Sequence, residues 1–126
     1  MINKVLDSSA ILALIFQEKG ADIVEPLLGN SLVSAINVAE IFSKLAEKGI
    51  LNQKMIEDFQ QLGIEITDFD FEQATKAAEL RPLTKHLGLS LGDRCCLALA
   101  ILNETTAVTA DRDWQSLTCC PIELIR

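Results

Sequence analysis

Long apolar runs are missing from this 126-residue chain. No stretch approaches the roughly 18 uninterrupted apolar residues that a membrane-spanning helix needs, and the opening MINKVLDSS carries no apolar signal segment. A cytoplasmic protein with no membrane association is expected. Basic residues are scarce as well: 11 Lys and Arg against 18 Asp and Glu leave a net charge of −7. That balance argues against gripping nucleic acid through a broadly basic surface. Tyrosine is absent and histidine occurs once, as His86 in TKHLG. This setting reads as the last turn of a helix, where a cation is favourable without any catalytic duty. C-x-x-C spacing is absent too, the four cysteines falling as adjacent pairs, Cys95-Cys96 and Cys119-Cys120. Neighbours on a helix diverge by about 100°, so each pair chelates poorly, and disulfides are rare in the cytosol. Small buried thiols are expected. Trp114 and the five phenylalanines have no basic stripe beside them in sequence, so they read as core or interface rather than as a base-stacking platform.

What the chain does have is apolar content of 49%, ample for the core of one ordinary domain. No repeat, low-complexity tract or linker divides it, so residues 1–126 read as a single domain. The patterning predicts strands over 4–6, 31–34, 64–67, 106–109 and 121–125. Helices are predicted over 10–16, 21–28 (started or kinked at Pro26), 37–48, 53–62, 70–80 (ended by Pro82) and 90–103. In the third of these, Val38, Ile41, Phe42 and Leu45 recur at helical spacing and Gly49 stops the run. Strands separated by helices imply right-handed crossovers. The predicted fold is α/β in three layers, a mostly parallel central sheet with helices on both faces.

In such sheets ligands sit beyond the carboxyl ends of the strands, where helices begin. Four acids meet that condition at or near helix starts. Asp7 follows KVL directly, and a plain helix cap would account for it. Glu40 lies three residues after Asn37, so N-x-x-E could be a capping box or a solvated face. Asp93 follows Ser90 by three, again cap-like, but its helical neighbours Cys96, Leu97 and Ala100 are small or apolar, and a carboxylate buried there needs a partner. Asp111 comes just after the strand TAVT, where a loop acid is ordinary, and Asp113 could cap the turn that carries Trp114. Each has a bland explanation alone. Together, the fold rule puts all four on one edge of the sheet, where they repel one another unless cations lie between them. Hard oxygen donors without His or Cys suit Mg²⁺ or Mn²⁺. Such a cluster can activate water against a phosphodiester with no side-chain nucleophile.

The blocks VLDSSAILAL, SAINVAEI, RPLTKHLGLSLGDRCCLALA and VTADRDW resemble, in order, those of PIN-domain ribonucleases, particularly the VapC toxins of bacterial toxin–antitoxin pairs. The resemblance covers nearly the whole chain, and GLSLGDRCCLALA is its most specific block. It implies a PIN-like fold and a Mg²⁺- or Mn²⁺-dependent endoribonuclease acting as a toxin. Asp7, Glu40 and Asp93 would be the principal metal ligands and catalytic acids, with Asp111 completing the site or serving a second ion. Ser8 and Thr109 match supporting polar positions, and Asp113 falls behind the site or caps a turn. The resemblance further implies an RNA substrate, a homodimer and a small VapB-like antitoxin whose C-terminal segment lies over the site. The Cys119-Cys120 pair departs from the pattern without touching the acids.

Setting the four acids aside brings the net charge to about −3, so RNA contact through bound cations and local Lys44, Lys48, Arg94 or Arg112 is compatible with the composition. Each of those four also reads as a solvated or salt-bridged side chain. A catalytically silent PIN-like module binding RNA or protein is the competing reading, and the complete quartet argues against it. A phosphotransfer domain of the receiver or phosphatase kind would want adjacent acids after the first strand and a lysine after a late one. The chain has VLDSS and VTADR there.

Overall fold

Residues next to one another in the short strands serve opposite layers of the protein. The computed structural model describes residues 3–126. Strands β1 (Lys4–Leu6), β2 (Ser31–Ser34), β3 (Glu65–Thr67), β4 (Ala107–Thr109) and β5 (Ile122–Leu124) form a five-stranded sheet in the order β3-β2-β1-β4-β5. All of these pairings are parallel, with Val5 beside Leu32 and Ala107, and Leu6 beside Val108. Side chains alternate across a strand, and here both faces are apolar. Val5, Leu32 and Ala107 join the core under α5 (Phe71–Thr84) and α6 (Leu91–Leu102), together with Trp114. Leu6, Val33 and Val108 join the opposite core, under α1 (Ser8–Ile15), α2 (Ala21–Val24), α3 (Ala35–Glu47) and α4 (Gln53–Gln60). Two buried faces are what a parallel sheet requires, and the expectation of three α/β layers holds.

The strand order decides where a ligand site can lie. From β1 the chain winds outward through β2 and β3, then returns past β1 to lay down β4 and β5. Its direction therefore reverses between β1 and β4, and the crevice beyond their carboxyl ends is the topological switch point.

Three helix boundaries differ from the sequence pattern in ways that matter. Helix α3 begins at Ala35 rather than at 37, because the Ser34 hydroxyl caps it by accepting from Ile36 N–H at 3.2 Å. Asn37 thereby falls in the first turn and Glu40 in the second, so Glu40 is not at a helix start. Helix α5 runs through Pro82 to Thr84. A proline costs about 3 kcal/mol in a helix interior, but this one sits in the final turn, between Leu80 and Thr84, both buried against the core. The predicted helix over 21–28 is a single turn, α2, followed by a 3-10 stretch, Glu25–Asn30, with Pro26 near its start. Among the described residues no helix is long and apolar enough to cross a membrane. All four thiols are free, Cys95 and Cys96 buried inside α6 and Cys119 and Cys120 half-buried.

Candidate active site

Asp7 is the first residue past β1 and occupies the N-cap position of α1, yet its side chain makes no capping bond. Its carboxylate turns across the switch point instead. Oδ2 accepts the Ser9 hydroxyl at 2.7 Å and the Thr109 hydroxyl, from the last residue of β4, at 2.9 Å. The two hydroxyls are themselves held by backbone: Ala110 N–H donates to Ser9 Oγ at 2.9 Å and Asp111 N–H to Thr109 Oγ1 at 3.0 Å. The ends of β1 and β4 are thus tied together through one carboxylate. Only 3% of Asp7 is exposed. Burial pushes its pKa up to about 6, the Ser9 and Thr109 hydroxyls pull against that rise, and the nearby charges of Asp93 and Glu40 add to it.

Glu40 reaches the same place from α3. Its Oε1 accepts from Ser8 Oγ at 2.6 Å and from Asn37 Nδ2 at 2.8 Å, and the same Asn37 nitrogen donates to the Gly92 carbonyl at 3.1 Å. Asn37, fully buried, therefore locks α3 to the first turn of α6. Gly92 is required by close approach: a Cβ built there would run into the Glu40 carboxylate. The glycine leaves the space in which that carboxylate lies.

Asp93, the third residue of α6, forms a complete capping box with Ser90. Ser90 N–H donates to Asp93 Oδ2 at 2.9 Å, and Asp93 N–H to Ser90 Oγ at 3.2 Å. The carboxylate that looked unpartnered in the sequence is half-buried at a helix start and has a backbone donor. Burial still raises its pKa; the Ser90 bonds oppose the rise and the charges of Glu40 and Asp111 favour it. Asp111 caps the 3-10 turn Arg112–Ser116, accepting Asp113 N–H at 2.9 Å. The cap role considered for Asp113 belongs to Asp111.

Asp7, Glu40 and Asp93 line one open cleft of about 680 Å³, together with Ser8, Ser9 and Lys44; Asp111 does not line it. The expectation was that Asp7, Glu40 and Asp93 are the principal ligands, with Asp111 completing the site or serving a second ion; the cleft brings the first three together. Asp111 lies outside that lining, though its charge is felt at Asp93, and among the described residues no three Asp, Glu, His or Cys side chains are placed to hold an ion jointly. The donor chemistry nevertheless fits a hard divalent cation. The three cleft carboxylates are oxygen donors only, and none of the four acids belongs to an ion pair among the described residues. Mg²⁺ keeps several waters and needs only one or two direct carboxylates, so a closed ligand shell is not a precondition.

The other residues singled out in the sequence divide clearly. Ser8 and Thr109 each donate to one of the cleft acids. Arg94 is committed to structure, its Nη1 donating to Ala77 O at 2.9 Å between α6 and α5. Arg112 donates to the Arg126 carbonyl at 2.9 Å. His86 lies in a 3-10 turn after α5, among Leu80, Leu83 and Leu117, away from the acids. Trp114 is wholly buried in the core under α5 and α6. Lys44 lines the cleft itself. Sequence reasoning missed Ser9, Asn37 and Gly92. Ser9 had a signal only in its position, two residues after Asp7 at the same helix start. The roles of Asn37 and Gly92 exist only across the α3–α6 contact.

A family model described as PIN domain matches residues 4–118. No curated protein matches the chain in sequence. Among solved structures the chain is similar to a toxin–antitoxin complex from Klebsiella pneumoniae, at 17% identity over 98% of each chain with a TM-score of 0.78. It is similar to DNA-bound VapBC from Salmonella typhimurium, at 18% identity over 100% of each chain with a TM-score of 0.75. FitAcB from Neisseria gonorrhoeae is also similar, at 22% identity over 97% of each chain with a TM-score of 0.73.

Proposed function

The chain belongs to the PIN-domain family, and from that premise we propose that it is a Mg²⁺- or Mn²⁺-dependent endoribonuclease, the toxin of a toxin–antitoxin pair. The observation that carries the reading is the placing of Asp7, Glu40 and Asp93 around one cleft at the switch point, with no basic side chain paired to any of them. Family membership makes nuclease chemistry the use of such a site, and the toxin–antitoxin complexes sharing the fold support a small VapB-like antitoxin as partner. A homodimer acting in the cytoplasm completes the proposal.

One or two of Asp7, Glu40 and Asp93 would hold the ion directly and the rest through its waters, with Asp111 in reserve for a second. When bound, such an ion supplies Lewis acidity toward a phosphodiester oxygen and toward water. The chain's own residues prepare the ground. Ser9 and Thr109 occupy Asp7 Oδ2, fixing the carboxylate so that only its other oxygen remains for a ligand. Ser8 and Asn37 do the same for Glu40 through Oε1, and Ser90 orients Asp93 through Oδ2. Prior fixing of this kind lowers the reorganisation needed when charge develops on the scissile phosphate. Raised pKa values at Asp7 and Asp93 mean that proton loss from these acids and cation binding are coupled.

The test is RNA cleavage by purified protein with Mg²⁺ or Mn²⁺ supplied. Asp7→Asn and Asp93→Asn should each lower the rate by at least about a hundredfold with the fold retained by circular dichroism. Undiminished cleavage in both variants ends the reading.

A further inference from the structure

Beside the acid cleft lies a second hollow of about 360 Å³, lined by Ser9, Leu12, Phe16, Glu18, Lys44, Lys48 and Arg126. The two are continuous, since Ser9, Leu12 and Lys44 line both. Helix α3 produces this arrangement by its period. Residues four apart share a helix face, so the face that presents Glu40 to the acids presents Lys44 one turn on, about 6 Å further along the axis, and Lys48 caps the same helix a turn beyond. Neither lysine takes part in an ion pair among the described residues. Lys48 Nζ stands 5.4 Å from the centroid of the Phe16 ring, a cation held over an aromatic face. Arg126 is braced by Lys19 O at 3.0 Å and lies 3.4 Å from Glu18 Oε1. Three cations thus face one carboxylate, Glu18, inside the hollow, and Glu47 lines the cleft beyond Lys44.

In a chain with net charge −7, a local concentration of positive charge adjoining an acid cleft is a specific device. The acids repel a nucleic-acid backbone, so a substrate must be gripped by groups close at hand. An aromatic ring among cations is the combination that single strands favour, because it offers both phosphate and base a partner. The sequence alone showed no aromatic beside a basic stripe; Phe16 reaches Lys44 and Lys48 only through the packing of α1 on α3.

We propose that this hollow holds the phosphates of single-stranded RNA on one side of the bond cleaved at the acid cleft, through Lys44, Lys48 and Arg126, with Lys44 standing between the two compartments. The inference rests on the nuclease reading above. Phosphate contacts here position the strand and add affinity without reading sequence.

Binding is measured separately from cleavage, with a labelled 12-nucleotide single-stranded RNA and protein carrying Asp93→Asn. Adding Lys44→Ala and Lys48→Ala together should raise Kd about tenfold and flatten the dependence of log Kd on log salt by about 1.4, the share of two single-strand phosphates. Lys85→Ala, which removes an exposed charge from the far layer, should change neither. In the cleavage-competent protein the double substitution should act on KM more than on kcat. An unchanged Kd and salt slope in the double variant, or an equal loss in Lys85→Ala, overturns the proposal. If wild-type protein cleaves RNA while the double variant binds as before, this inference alone has failed; if the wild type cleaves no RNA with either ion, the nuclease reading has failed.

Discussion

Thr109 donates its hydroxyl to Asp7 Oδ2 at 2.9 Å across 102 positions of sequence, joining the last residue of β4 to the first residue beyond β1. This bond closes the point at which the sheet reverses direction. Asp7 is nearly inaccessible to water, so its carboxylate depends on donors from the protein.

Thr109→Val keeps the shape and removes the donor. It should destabilise the protein by about 1–3 kcal/mol in urea unfolding, because a buried carboxylate loses one of its two hydroxyl partners. Thr109→Ser should recover most of the loss. A Val variant as stable as wild type would mean that the bond contributes nothing.

Asp7 also predicts a pH dependence. Its folded pKa, about 6, lies above the ordinary 3.8, so the folded state binds more protons than the unfolded state between those values. Stability of metal-free protein therefore falls as pH rises from about 4 through 6, by about 2 kcal/mol from this group alone. Asp7→Asn lacks the titration. In EDTA, the unfolding free energy of Asp7→Asn minus that of wild type should grow between pH 4 and 7.5. A constant difference would contradict the raised pKa.

Gly92→Ala separates site geometry from helix stability. Alanine favours a helix over glycine by about 1 kcal/mol, yet here its methyl group meets the Glu40 carboxylate. RNA cleavage should fall at least tenfold through displaced Glu40, with the thermal midpoint shifting by no more than a few degrees. Retained activity would show that Glu40 tolerates displacement.

Cation binding should be visible without any substrate. Millimolar Mg²⁺ or Mn²⁺ should raise the thermal midpoint of wild-type protein, since a ligand of the folded state alone stabilises it by mass action. The combined Asp7→Asn and Asp93→Asn variant should show little rise. Equal shifts in both proteins would place the cation elsewhere.

Much of this was legible before any coordinates. Strands over 4–6 and 31–34 coincide with β1 and β2 because short apolar runs bounded by helix-start signals leave little choice of register. The end of α5 was not legible: Pro82 is a helix breaker on local grounds, and only the burial of Leu80 and Thr84 carries the helix past it. The start of α3 was misplaced for a subtler reason. Asn37 has the chemistry of a cap, but Ser34 takes that role, and the amide of Asn37 is spent on Glu40 and the Gly92 carbonyl.

The order of apolar and polar residues along the chain was enough to determine an alternating α/β protein with acids placed where strands give way to helices, because hydrophobic periodicity and cap chemistry act over a few residues. Which acids meet was decided by tertiary structure. The reversal between β1 and β4 brings Thr109 to Asp7, and the α3–α6 contact brings Glu40 over Gly92, while Asp111 caps its own turn. These relations depend on strand order and on side chains tens of positions apart, and no local pattern encodes either.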